Sequence, residues 1–425
     1  MGRNIFVLGL DDLNHRALKK LPGAEDYTYH QLLTFDELQD SAHTVNSLLE
    51  KAEQQLDAFE GSIDAIVAYW DFPATAMAPI LAERHGLPHA NLKGIATVEH
   101  KYWSRLEQQK VAADEVPGFG LIDVNDDEAS LPEGVSYPAW IKPIKSTSSE
   151  GAYRITDDDS LREAIKEERQ AVNRMGGGFN EVLERIDLPD EIAEIGGSAA
   201  MVEEEASGAM LTVEGFSHDG QVEIYGVIDS HLYEGTSSFL RYQYPSSLPE
   251  DVQERIADVS KKVIRAVGLE HSTFNIEYFW DAENRKLQLL EINSRHSQSH
   301  AQLFHLVDGR PNHACMVDLA LGNQPAMPAQ NGEFKVAGTW FLRVFEDGWI
   351  KRVPTEEEVR ALEEKYPGTA IQIEKTADRR LSGDVAEDSY SYTLAEIFTA
   401  GQSEEEMVET YNKVVDELNF EIEDL

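Results

Sequence analysis

Ser272-Thr-Phe-Asn-Ile-Glu-Tyr-Phe-Trp280, a polar turn, and Lys286-Leu-Gln-Leu-Leu-Glu-Ile-Asn-Ser-Arg295 are the residues on which the reading of this chain turns. Both runs are rich in aromatic and branched side chains, and the turn between them predicts an antiparallel hairpin over 273–280 and 286–293. Side chains alternate faces along a strand. Asn275 and Glu277 therefore share a face in the first strand, and Glu291, Asn293 and Arg295 share one in the second. With the turn centred on Asn284, Glu277 is expected opposite Glu291, and Asn275 opposite Asn293. Carboxylates that face each other in a ladder repel. A chain tolerates that arrangement when a cation lies between them or one of them takes a proton. Two carboxylates and an amide are oxygen donors, the set that suits Mg²⁺ or Mn²⁺. The plainer alternative, a solvated sheet face on an acidic protein, gives no reason for the Glu-x-Asn-x-Arg alternation inside an apolar strand.

Upstream, Pro138-Ala-Trp-Ile-Lys-Pro-Ile-Lys-Ser-Thr-Ser-Ser-Glu-Gly-Ala-Tyr-Arg-Ile155 delivers Lys142 at the end of a short apolar run. A loop of small hydroxyl residues follows, and then Gly151. Such a loop allows close backbone approach, and its successive N–H groups can cradle phosphate oxygens while a lysine supplies a point charge. An ordinary hairpin loop is the competing reading. The G-x-x-x-x-G-K-[ST] phosphate loop is absent. So is G-x-G-x-x-G after the first strand, which excludes a nicotinamide or flavin site of that type.

Around these segments the chain alternates strands and helices. Strands are expected at 4–10 and 63–69 and helices at 36–60 and 75–85, a parallel α/β arrangement. Beyond residue 100 come a helix at 100–109, strands near 118–124 and 138–144, and a helix at 159–175 broken by Gly176-Gly-Gly178. Strands at 199–206, 209–217 and 221–229 precede a helix at 249–267. The last stretch is α+β, with strands at 336–345 and 370–374 and helices at 355–365 and 403–418. A length of 425 residues suits about two to four packed units.

Hydrophobic residues make up 41% of the chain, which is ample core for a soluble globular protein. A membrane span takes ~20 apolar residues, and no such run occurs. The N-terminal run is expected to be a strand, not a signal peptide. One cysteine, Cys315, cannot form an internal disulfide, which fits a reducing cytoplasm, and a buried thiol is expected there. The net charge is -41, from 78 acidic and 37 basic residues. A surface of that sign repels nucleic acid and anionic lipid. It suits a salt-rich, halophilic-type cytoplasm, and it makes each conspicuous lysine or arginine more informative.

The order of these segments resembles the ATP-grasp superfamily, which includes D-alanine–D-alanine ligase, carnosine synthase, bacterial dipeptide ligases and, more distantly, biotin carboxylase. Lys101 opens a helix, Lys142-Pro precedes the Ser/Gly loop, and Met201-Val-Glu-Glu-Glu-Ala-Ser-Gly208 follows. Gly268-Leu, Glu277 and Glu291-Ile-Asn-Ser-Arg295 complete the series. The resemblance covers about residues 60–330 well. It implies an ATP-grasp fold of mixed α/β and α+β class. Its units would be a Rossmann-like pre-ATP-grasp domain (1–99), a lid (100–205), a core with the magnesium site (206–330) and a C-terminal α+β unit (331–425).

By matching position, the resemblance also implies roles. Lys101 and Lys142 would touch ATP phosphates, with Arg241 as a further phosphate contact. Ser148, Ser149 and Gly151 would form the loop over them. Glu203 and Ala206 would offer main-chain groups to adenine. Glu277, Glu291 and Asn293 would hold Mg²⁺ or Mn²⁺. Arg295 would steady the transferring phosphate, and His296 or His300 would bind substrate carboxylate or take the amine's proton.

Two positions depart from the pattern. Met210 stands where many relatives carry a ribose-binding carboxylate, with Glu204, Glu205 and Glu214 as substitutes nearby. Ser299 stands where carboxylases carry their bicarbonate base. The implied function is ADP-forming ligation of small carboxylate and amine substrates through an acyl phosphate. The alternatives are a biotin-carboxylase-like enzyme or a nucleotide-binding protein without turnover. A homodimer is the default assembly.

Overall fold

Four sheets organise the described residues, and the largest of them positions the site. The computed structural model describes residues 2–40, 42–147, 150–236, 238–383 and 391–424. At the N-terminus β1 (Arg3–Leu8), β2 (Tyr27–Leu32) and β3 (Ala65–Val67) form a parallel sheet in the order β2-β1-β3. Parallel neighbours need crossovers, supplied by helices Asp12–Leu18, Phe35–Gln39 and Val45–Asp57. The single helix expected over 36–60 is two. Thr34 and Thr44 each close a capping box, and each of these starts a helix afresh.

A second sheet contains β4 (Phe119–Ile122), β5 (Ala139–Pro143), β6 (Tyr153–Ile155) and β7 (Ala200–Glu204), ordered β4-β7-β5-β6 and antiparallel throughout. Helix Asp158–Leu183 packs across it through Leu161, Ile165 and Val172. Sequence alone ends this helix at 175, because glycine is a poor helix former. Instead it runs unbroken for 26 residues. A Cβ on Gly176 would stand 2.6 Å from the Gly197 carbonyl oxygen. Close packing therefore requires glycine at that position, and tertiary contact overrides helix propensity there.

The third sheet begins with β8 (Ala209–His218), β9 (Gln221–Leu232), β10 (Phe239–Tyr244), β11 (Ser272–Asp281) and β12 (Lys286–Asn293). The chain continues through β13 (Val336–Val344), β14 (Gly348–Arg352), β15 (Ala370–Ile373), β16 (Arg379–Arg380), β17 (Tyr392–Gly401) and β18 (Glu421–Asp424). The strand order is β12-β11-β8-β9-β10-β13-β17-β15, while β16-β14-β18 form a separate small sheet. The boundary expected at 330/331 lies in the connection before β13, and β13 hydrogen-bonds directly to β10, so one sheet runs across both expected units.

Helix Glu250–Val267 covers one face, its Val252, Ile256 and Val263 joining Phe274, Ile276 and Tyr278 in a core. Helix Glu404–Glu417 continues that cover over β13 and β17. Helix Ala301–Asp308 covers part of the opposite face, with Phe304 against Ile228 and Tyr244. Cys315 is buried in helix His313–Ala320, and burial pushes its thiol up. Among the described residues no helix is long and apolar enough to cross a membrane.

Candidate active site

The hairpin has the register its sequence demands. Glu277 pairs with Glu291 and Asn275 with Asn293. Just beyond, Tyr278 pairs with Leu289, so Leu290 is the extra residue of a bulge. Bulges re-aim backbone groups, and here the Leu290 carbonyl accepts from Arg105 at 2.6 Å. The Asn293 amide donates to Asn275 Oδ1 at 2.9 Å and to Glu277 Oε1 at 3.3 Å.

Burial and the facing charge of Glu291 push the Glu277 carboxyl up to about 7. Glu291 moves the other way: against the effect of burial, the Lys101 and Lys142 charges lower it, and Lys101 Nζ donates to it directly. Among the described residues no group of three or more His, Cys, Asp or Glu forms a metal cluster. The donors here are two carboxylates and an amide, which are hard oxygen ligands. A divalent cation relieves the very repulsion that raises Glu277, so the set fits one.

Lys101 and Arg105 lie one turn apart on helix Lys101–Gln109, so both reach the same side. His100 caps that helix by accepting from the Trp103 N–H at 3.1 Å. Lys142 approaches from β5, and Glu203 on β7 lies between two cations, one from the helix and one from the strand: Arg105 Nε donates to it at 3.0 Å and Lys142 Nζ donates to its other oxygen. Burial alone would raise Glu203, but the Arg105 and Lys142 charges hold it down at about 2. Lys101, Arg105, Lys142, Glu203 and Glu291 line one recess between the second and third sheets.

Beside it Lys145 Nζ donates to Glu99, which also accepts from Thr75 at 3.0 Å and Ser294 at 2.9 Å. Arg295 makes a two-pronged ion pair with Asp71, both contacts 2.6 Å. Asp71 follows β3, at the carboxyl end of a parallel strand, where open α/β sheets place their ligands.

Other expected residues lie elsewhere. His296 is fully buried. Its Nε2 stands 2.7 Å from His313 Nδ1 and its Nδ1 stands 3.2 Å from Thr273 Oγ1, while His313 reaches Asn14 at 2.9 Å. Burial and the neighbouring His313 push it well below the ordinary imidazole value. With both ring nitrogens engaged, His296 braces the segment that carries Arg295. His300 Nδ1 is 2.9 Å from Glu214 Oε1, and its ring meets the edge of Tyr242 at 5.1 Å.

Arg241 pairs with Glu404 and lies over the Trp340 ring at 4.8 Å, on the covered face of the sheet. Ala206 lies in the connection between β7 and β8, half-buried. Gly151 has a φ of +73°, and a Cβ there would meet Pro143 at 2.9 Å. Ser148 and Ser149 lie outside the described residues. Met210 sits on β8 opposite Ser230. The three substitutes for its missing carboxylate are all engaged: Glu204 with Ser136, Glu205 with Arg154, and Glu214 with Ser297 and Tyr225.

Sequence reasoning missed Arg105, Asp71, Lys145 and Glu99. Arg105 carried a signal, since it follows Lys101 at helical spacing. Asp71 carried a weaker one, at the end of the apolar run 63–69. The Lys145–Glu99 pair joins residues on different elements, and nothing local announces it.

Residues 135–301 match the family described as the ATP-grasp domain. Among curated proteins, the chain is 26% identical over 183 residues to the vancomycin/teicoplanin A-type resistance protein VanA of Enterococcus faecium, covering 42% of this chain and 47% of that one. It is 28% identical over 141 residues to D-alanine–D-alanine ligase of Kineococcus radiotolerans, covering 32% and 34%. The matched region thus spans less than half the length of these relatives.

Among solved structures, L-amino acid ligase from Bacillus licheniformis superposes with a TM-score of 0.71 at 16% identity, covering 99% of this chain and 98% of that one. Biotin carboxylase from Campylobacter jejuni superposes with a TM-score of 0.65 at 14% identity, covering 99% and 92%.

Proposed function

The chain carries an ATP-grasp domain within an ATP-grasp fold, and from that premise we propose that it is an ADP-forming ligase joining a carboxylate to an amine. The observation that carries this reading is the facing pair Glu277 and Glu291, with Lys101 and Lys142 acting on Glu291 and Arg295 acting on Glu277. Glu277, Glu291 and Asn293 would hold Mg²⁺ or Mn²⁺. The ion, when bound, neutralises charge on the nucleotide's phosphates and orients them.

Lys101 and Lys142 leave Glu291 and Glu203 to meet those phosphates, so the cleft exchanges internal ion pairs for contacts with the polyanion. A substrate carboxylate oxygen then attacks the γ-phosphorus, the bond to the ADP oxygen breaks, and an acyl phosphate forms. Arg295 exchanges Asp71 for this group and balances its negative charge. An uncharged amine attacks the acyl carbon, the C–O bond to phosphate breaks, and inorganic phosphate leaves as the nitrogen loses a proton. Positioning and charge balance by fixed groups do most of the catalytic work in such transfers. Ser299 supplies no base for bicarbonate, which favours an amine over a carboxylation route.

Recognition of adenine near Glu203 and Ala206, across the connection from β7 to β8, completes the reading. A phosphate-release screen of amino acids and simple carboxylates, singly and in pairs, tests it. Release that requires both a carboxylate and an amine supports ligation. Release driven by bicarbonate alone, or none with any pair, overturns it.

A further inference from the structure

The face of the large sheet that carries Glu277 continues past it. Register partners share a face, and Met210, Ser230, Tyr242 and Thr339 follow one another across β8, β9, β10 and β13. Tyr242 is the centre of an aromatic group. Its ring lies 5.1 Å from Phe341, 5.2 Å from Phe239 and 5.1 Å from His300. In the strand order Glu277 on β11 lies to one side of Tyr242 and Glu396 on β17 to the other, and both charges act on its hydroxyl. The tyrosine thus stands between the metal hairpin and a second carboxylate.

That second carboxylate has no function in the reading above. Glu396 is paired in register with Phe341. It makes no hydrogen bond or ion pair with any described residue, and burial together with the nearby Glu374 pushes it up to about 7. Arg343 is the cation in reach and its charge holds part of that rise back, while its hydrogen bonds go to the Phe239 carbonyl at 3.2 Å and to Ser391 at 2.9 Å. Two further polar groups point to an absent ligand: Ser230 is 7% exposed and Thr339 is 0% exposed, and neither hydroxyl has a hydrogen-bond partner. Buried hydroxyls without partners are uncommon in folded proteins.

Aromatic faces and a carboxylate together recognise an organic cation. A chain with a net charge of -41 also concentrates cations in its clefts. We propose that Phe239, Tyr242, Phe341 and His300, with Glu396 at their edge, form the subsite for a second, non-reacting cationic group on a substrate, so that the enzyme ligates a basic amino acid or a diamine. The inference rests on the ligase reading for its chemistry and on this aromatic group with its carboxylate alone for its specificity. The reacting end of the substrate lies toward Glu277 and Arg295, and its far end, an ammonium or guanidinium, lies against Tyr242 and Glu396.

Calorimetric titration of the full chain with L-lysine and with norleucine, which lacks the terminal ammonium, measures this directly. ADP release with the same two compounds runs alongside. Lysine is expected to bind about tenfold more tightly, a difference of about 1.4 kcal/mol. Glu396→Gln and Tyr242→Leu are expected to erase that preference, and Tyr242→Phe, which keeps the ring, to preserve it. Equal affinity for norleucine, or a preference that survives both damaging variants, overturns the proposal. The two readings separate cleanly. ADP release that treats lysine and norleucine alike removes the proposed subsite and leaves the ligase, while lysine-selective binding without ADP release for any pair does the reverse.

Discussion

Glu203 and Glu277 are both glutamates on sheet strands, each coupled to the charges around Glu291 and Lys101, and their surroundings drive them in opposite directions. Glu203 has two cations of its own chain, Arg105 and Lys142, and stays ionised down to about 2. Glu277 faces another carboxylate and holds its proton up to about 7. One carboxylate is balanced by cations of its own chain, while the other is dominated by burial and a facing carboxylate. Burial raises both groups, so the sign of the neighbouring charge decides the outcome.

The largest effect should come from removing the raised carboxylate. Glu277→Gln is expected to lower metal-dependent ADP release ~10²–10³-fold while leaving the urea midpoint, measured with magnesium present, near that of the parent. Full activity in this variant would break the contrast. Glu203→Gln should instead act on folding. It strands Arg105 and Lys142 in a buried recess, and breaking such a pair costs roughly 3–5 kcal/mol, read as a fall in the urea midpoint. A midpoint unchanged from the parent would show that Glu203 is no structural pair.

Acid and base should separate the same two residues. Glu277 is raised from 4.5 to about 7 in the folded chain. The folded state therefore holds a proton that the unfolded state has lost, and the stability this group lends fades as pH climbs through that window. Glu203 is lowered from 4.5 to about 2, so its contribution is complete above the higher value and fades as pH falls toward the lower one. In metal-free protein the melting temperature is expected to drop between about pH 5 and 7 more steeply than in Glu277→Gln. Magnesium should close the gap. Glu168 and Glu396 are also raised, to about 8 and about 7, but both proteins share them, so the difference isolates Glu277.

The smallest effects belong to the glycine run that supports the second sheet. Gly177→Ala meets nothing within 4 Å and should stabilise by about 0.5–1 kcal/mol. Gly176→Ala meets the Gly197 carbonyl at 2.6 Å and should destabilise by about 1–3 kcal/mol despite alanine's better helix propensity. Thermal melts of the two variants check the opposite signs.

Much of this was legible in the residues. The Glu-x-Asn-x-Arg alternation gave the hairpin register, because strand periodicity leaves few alternatives once one face is apolar. The aromatic and branched runs gave β8, β9, β11 and β13 to within a few residues. The partners of the site residues were hidden. Arg295 meets Asp71 across 224 residues and Lys101 meets Glu291 across 190. His296 and His300 follow β12 closely, yet the fold turns both inward, onto His313 and Glu214. Proximity in sequence does not fix which way a side chain points once the strand has ended.

The sequence by itself determined the periodicities, the absence of the common dinucleotide and phosphate loops, the excess of negative charge and the facing of Glu277 and Glu291. Each of these is local or additive, set by strand geometry or by counting charges. Tertiary structure decided which cation reaches which carboxylate, that Gly176 sits inside a helix, and that the C-terminal strands extend the sheet that carries Glu277. Those outcomes depend on contacts between residues far apart in the chain, where packing and charge pairing outweigh local preference.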